Sequence, residues 1–232
     1  MITLEKNDIF SPMAYDMALW VQELQTRICH GLESFETDTK FHADRWDRQN
    51  GGGGVTQVIQ DGATFEKGGV NTSVVYGPVK ENEWPMFRKM ISQQGVDAPE
   101  SPSDVHFFAT GLSLVIHPKN PNAPTTHANY RYFEIQFDGQ EMWWFGGGAD
   151  LTPHYLFEED AKHFHMVHKT ACDKHDPDYY VRFKKWCDTY FTIPHRNETR
   201  GIGGLFFDYQ NDKPKEEIFG FVKDCGNAFL DA

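Results

Sequence analysis

Apolar side chains recur at helical spacing from Pro12 to about residue 36, through Met13, Met17, Trp20, Val21, Leu24, Ile28 and Leu32, with Ser11 and Pro12 placed to start the helix. The pattern then shortens to strand-like pieces at 41–48, 55–60 and 70–79, separated by glycine-rich turns such as residues 51–54. A short helix is expected at 84–94. Three stronger strand candidates follow at 105–117, 128–137 and 141–145, and the gaps between them are too short for parallel crossovers. Helices at 157–175 and 178–191, a strand at 203–209 and a helix from Lys215 to the end complete the series. Runs of strands with grouped helices predict an α+β fold on an antiparallel sheet. Residues 1–232 are expected to form a single domain. Its last helix ends on Phe229, Leu230, Asp231 and Ala232 without a capping glycine, which reads as a C-terminal truncation.

Composition narrows the field. A net charge of −12 and no visible cluster of Lys and Arg argue against nucleic acid as a partner, so an anionic small molecule would need a local arginine site. Cys29, Cys172, Cys187 and Cys225 are far apart in sequence, and the N-terminus shows no basic-then-apolar signal pattern, so reduced thiols in a cytoplasmic protein are expected. No apolar run approaches the roughly 18 residues of a transmembrane segment.

Polar residues gather on one predicted sheet face. Alternation puts Ser113, Val115 and His117 on one side of their strand and Leu112, Leu114 and Ile116 on the other. In the next strand His127, Asn129, Arg131 and Phe133 point one way, and Ala128, Tyr130, Tyr132 and Glu134 the other. Antiparallel pairing then unites Ser113, His117, His127, Asn129 and Arg131, a set suited either to a carboxylate ligand or to a solvated sheet face. On the helix that follows, Phe164, His165, His168 and Cys172 share the inward arc and His163 points out. His165 and His168 are then either core histidines satisfied by hydrogen bonds or, for one of them, a group facing the polar sheet. The stretch 143–153 passes from an aromatic strand into Gly146, Gly147 and Gly148 and then a turn. It cannot be built into a dinucleotide loop.

The runs GLSLVIHP at 111–118, HANYR at 127–131, WWFGGGADLTP at 143–153, FEEDA at 157–161, KKWCD at 184–188, HRNE at 195–198 and GIGGLFFD at 201–208 resemble oxygen-dependent coproporphyrinogen III oxidases from about Gly51 onward. The resemblance implies a large antiparallel sheet flanked by helices on both sides, in a homodimer. It also implies oxidative decarboxylation of the ring A and B propionates of coproporphyrinogen III to vinyl groups, giving protoporphyrinogen IX in haem biosynthesis. Dioxygen would be the co-substrate, with no organic cofactor. Ser113 and the segment Asn129, Tyr130 and Arg131 resemble the family's substrate contacts, and His127 its proton donor. His117, His127, His165 and His195 fall on histidines that the family associates with a divalent metal. Arg131 would fix the reacting propionate, while Asp208 would accept a pyrrole N–H. Tyr130 and Tyr209 depart from the family's usual residues. A mitochondrial location is the alternative to the cytoplasm; a metal-dependent hydrolase and a non-catalytic porphyrin-binding module are the competing functions.

Overall fold

The structure, a computed structural model, describes residues 9–232; the sequence reading of the extreme N-terminus falls on residues outside that range. Among the described residues, seven strands form one antiparallel sheet in the order β1-β2-β3-β4-β5-β6-β9. They are β1 His42–Asp47, β2 Gly52–Gln60, β3 Phe65–Pro78, β4 His106–Pro118, β5 Thr125–Phe137, β6 Gln140–Thr152 and β9 Gly203–Gln210. The helices are α1 Pro12–Glu33, α2 Trp84–Gln93, α3 Glu158–Asp173, α4 Tyr179–Tyr190 and α5 Lys215–Asn227, and a two-stranded ribbon pairs β7 Thr192–Ile193 with β8 Glu198–Thr199.

The α+β fold and its antiparallel sheet match the sequence expectation, with one local correction. Residues 146–148 do not leave the sheet in a turn, because β6 continues through them to Thr152, paired with β5 on one side and β9 on the other. Hydrogen-bonded neighbours on both sides hold these residues extended, overriding the low strand preference of glycine.

The two sheet faces are covered unequally. On one, Phe108, Leu112, Leu114, Ile116, Ala128, Tyr130 and Tyr132 bury against Met17, Val21, Leu24 and Ile28 of α1 and Phe221, Val222 and Cys225 of α5. On the other, α2 roofs one end, where Trp84, Phe87 and Ile91 pack with Phe107, Ile135 and Trp144, and at the β9 edge Trp186 and Tyr190 of α4 cover Phe206. Each Leu, Ile, Val, Met or Phe buried there stabilises the fold by about 1.5–3 kcal/mol. The rest of that face lies open.

α1 is pinned to the sheet at its first turn. The Glu134 carboxylate, fully buried, accepts the Ser11 backbone N–H at 2.9 Å, the Ser11 hydroxyl at 2.5 Å, the Tyr132 hydroxyl at 2.6 Å and a Gln136 amide N–H at 2.7 Å. Burial alone would push its pKa up, but these hydrogen bonds, led by that of the Ser11 hydroxyl, outweigh it and hold the carboxyl below its ordinary value.

Candidate functional site

Antiparallel register aligns side chains in rows across the open face. Thr56, Asn71, Ser113 and Asn129 are successive partners from β2 to β5 and form a polar row. The next row runs Trp46, Gly54, Ser73, Gly111, Arg131 and Gly146, from edge strand β1 to β6. Beyond it lies an apolar row of Val75, Ala109, Phe133 and Trp144. The middle row thus lacks side chains at three of its six positions, which leaves a trench. A cavity of about 660 Å³ occupies it, lined by residues of all three rows together with Met90, Asp208 and Tyr209. That volume lies within the range of small-molecule sites.

Arg131 is the cation of the trench. One guanidinium nitrogen lies 2.8 Å from Asp208 Oδ2, another donates to Asn129 Oδ1 at 2.9 Å, and the group stands 5.9 Å from the Phe206 ring centre. Arg131 is 34% and Asp208 23% exposed, so both remain within reach of a ligand. Asp208 Oδ1 also accepts the backbone N–H of Tyr209, a residue held at φ 48°. Gly146 makes this arrangement possible: a Cβ there would stand 2.6 Å from Arg131 Nε and 2.7 Å from Asp208 Oδ1.

A second polar group sits on the same face. His127 is opposite Asp150 in the β5–β6 register, and its Nδ1 lies 2.6 Å from Asp150 Oδ1. The carboxylate can only accept, so Nδ1 carries the proton and Nε2 is the ring nitrogen left to address a ligand. Asp150, 3% exposed, is held on its other side by Arg200 at 2.7 and 3.0 Å. Arg200 stacks on Phe191 at 3.8 Å, and Phe191 meets the His127 ring edge-on. Four residues of strand, about 13 Å, separate His127 from Arg131, and His127 lies beyond the cavity lining.

Ser113, Asn129, Arg131 and Asp208 therefore come together around the cavity, with His127 nearby. Tyr130 is corrected: it points to the opposite face, is fully buried and donates its hydroxyl to the Cys225 carbonyl at 3.1 Å. Strand alternation places its side chain out of reach of a ligand on the open face.

The four-histidine metal set is also corrected. Among the described residues no three His, Cys, Asp or Glu side chains group closely enough to hold a metal ion. His127 Nδ1 is engaged by Asp150, His165 Nδ1 lies 2.6 Å from the Tyr180 hydroxyl, His117 Nδ1 lies 3.4 Å from Thr125 Oγ1, and His195 is exposed in the β7–β8 turn. These residues do not fit a single centre within the chain, and no step is assigned to a metal. His163 is exposed, as its helical position predicts, and lies 2.7 Å from the Asp231 carbonyl. His165 thus matches the reading of a hydrogen-bonded core histidine, whereas His168 does not: it is fully buried, yet neither ring nitrogen has a hydrogen-bond partner among the described residues.

Asp150 and Arg200 were legible only as members of motifs. Reading 146–148 as a turn hid the alternation Gly146, Gly148, Asp150 that brings the carboxylate to the face of His127.

The family model for coproporphyrinogen III oxidase matches residues 16–232. The chain is 51% identical over 220 residues to the oxygen-dependent coproporphyrinogen-III oxidase of Drosophila melanogaster, covering 94% of this chain and 55% of that protein. It is 50% identical over 219 residues to the mitochondrial enzyme of Homo sapiens (94% and 47%) and 49% identical over 217 residues to the chloroplastic enzyme of Glycine max (91% and 55%). The chain thus spans about half the length of the curated relatives it matches.

Proposed function

The chain belongs to the coproporphyrinogen III oxidase family, and on that premise we propose that it acts in the oxygen-dependent conversion of coproporphyrinogen III to protoporphyrinogen IX. In this reaction each propionic acid side chain and one dioxygen give one vinyl group, one carbon dioxide and one hydrogen peroxide, so dioxygen takes the two electrons and no organic cofactor is required. The observation that carries this reading is the Arg131–Asp208 pair, 2.8 Å apart at the end of a trench on the open sheet face.

In this reading Arg131 binds the carboxylate of the reacting propionate, with Asn129 steadying the guanidinium and Ser113 adding a donor. Asp208, already beside Arg131, turns one oxygen to a pyrrole N–H and makes that ring electron-rich enough to give electrons to dioxygen. His127 serves as proton donor through Nε2, and Asp150 fixes its tautomer. The family assignment makes a homodimer the expected assembly of the functional protein. No helix among the described residues is long and apolar enough to cross a membrane. Four free, buried thiols suit the cytoplasm, and the mitochondrion is the alternative compartment.

The test is incubation with coproporphyrinogen III in air and under argon, using this chain and a version continued to the length of its relatives, with protoporphyrin read by fluorescence after oxidation. Oxygen-dependent product from either supports the proposal. Saturable binding without product from both would leave a porphyrin-binding module.

A further inference from the structure

The proposed chemistry uses one end of the trench and leaves the other unassigned. At that end stands Trp46, on edge strand β1, whose six residues are all exposed. Trp46 is 41% exposed and lines the same cavity as Arg131 and Asp208. Register puts Trp46 in the row of Arg131, four strands away, or about 19 Å between backbones. The indole does not stand upright from the edge. It lies inward over Gly54, where a Cβ would meet its Cζ2 at 2.4 Å and its Cε2 at 2.5 Å. An aromatic plane thus extends over the first glycine of the trench.

We propose that Trp46 is the far wall of the ligand site, an aromatic surface against which one ring of a broad, carboxylate-bearing macrocycle packs while an acid arm reaches Arg131. The inference rests on reading the open face as the tetrapyrrole site. Three features support it beyond exposure. The indole adds nothing to either hydrophobic core. Gly54 gives it clearance to lie inward. Between it and Arg131 the row holds Gly54, Ser73 and Gly111, of which only Ser73 carries a side chain, and a small one, so a flat ligand has room to lie along it. An indole edge or face against a pyrrole ring supplies contact area and quadrupole attraction that a carboxylate-binding arginine cannot. Trp46 would therefore select for the macrocycle, and Arg131 for its acid arm.

The test is titration of the parent chain and of Trp46→Ala, Trp46→Phe and Arg131→Ala with coproporphyrin III, followed by Soret absorbance. Trp46→Ala is expected to bind about tenfold more weakly and Trp46→Phe within about threefold of the parent. Circular dichroism should be unchanged, because β1 is exposed throughout. Trp46→Gln, a second ring-free variant compatible with an edge strand, should match Trp46→Ala and replaces it if that protein does not fold. Ring-free variants that bind within about twofold of the parent, alongside a weakened Arg131→Ala, would overturn the wall while leaving the site intact. Absence of saturable binding by the parent would overturn both.

Discussion

A methyl group at position 146 would begin 2.6 Å from the Arg131 guanidinium and 2.7 Å from the Asp208 carboxylate, closer than Cβ atoms approach such groups. Gly146→Ala must therefore separate the pair. An ion pair this exposed contributes about 0–1 kcal/mol to stability, so the variant should melt close to the parent yet bind coproporphyrin III about tenfold more weakly, as isothermal titration would show. Asp208→Ala, in the version that turns over, should lower kcat far more than it raises KM; equal losses would assign Asp208 to binding alone. His168 makes a prediction about pH. Burial, helped by the nearby His165, lowers its pKa from 6.5 to about 4, so between those values the unfolded chain takes up a proton that the folded chain refuses. Stability is complete above about pH 6.5 and falls as the pH drops toward 4, by up to about 3 kcal/mol, in urea unfolding at stepped pH. His168→Leu should flatten that decline. At this scale the sequence read well where alternation applied: Ser113, Asn129 and Arg131 share a face as expected, and the same alternation already argued against Tyr130. Asp150 was obscured because the β5–β6 register that sets it opposite His127 runs through residues read as a turn, and Arg200 because it reaches Asp150 from the loop between β8 and β9.

Elements were legible wherever a periodic pattern ran long enough. The stripe of α1 and the alternation of β4 and β5 located those elements to within a few residues, because each buries one face and exposes the other. β6 was cut short because its glycines are extended by their neighbours, a cause that lies outside the strand. β7 and β8, two residues each, carry no period to read. What seats α1 was equally hidden, since Ser11 and Glu134 lie 123 residues apart. Glu134→Ala would remove the acceptor of the Ser11 N–H and of the Ser11 and Tyr132 hydroxyls, leaving only the 3.3 Å contact between those two hydroxyls beneath the first turn of α1. A loss of about 3 kcal/mol in chemical denaturation is expected. Glu134→Gln should lose less, because its carbonyl still accepts one or two of these bonds.

At the scale of the whole molecule, six of the seven main-sheet strands pair in the order in which they are made, and β9 joins only after α3, α4 and the β7–β8 ribbon. Pairings between neighbours in sequence close small loops and form early, whereas the β6–β9 pairing must close a long one. Pulse-labelled hydrogen exchange during refolding should accordingly find β4 and β5 amides protected before those of β9; simultaneous protection would mean the sheet condenses as a unit. Arg131 belongs to the early group and Asp208 to the late one. With β9 docking last, the anion-binding end of the trench would spend an interval of assembly as a bare cation, and an acidic ligand present at that moment would compete for Arg131 with the strand that carries its permanent counter-charge.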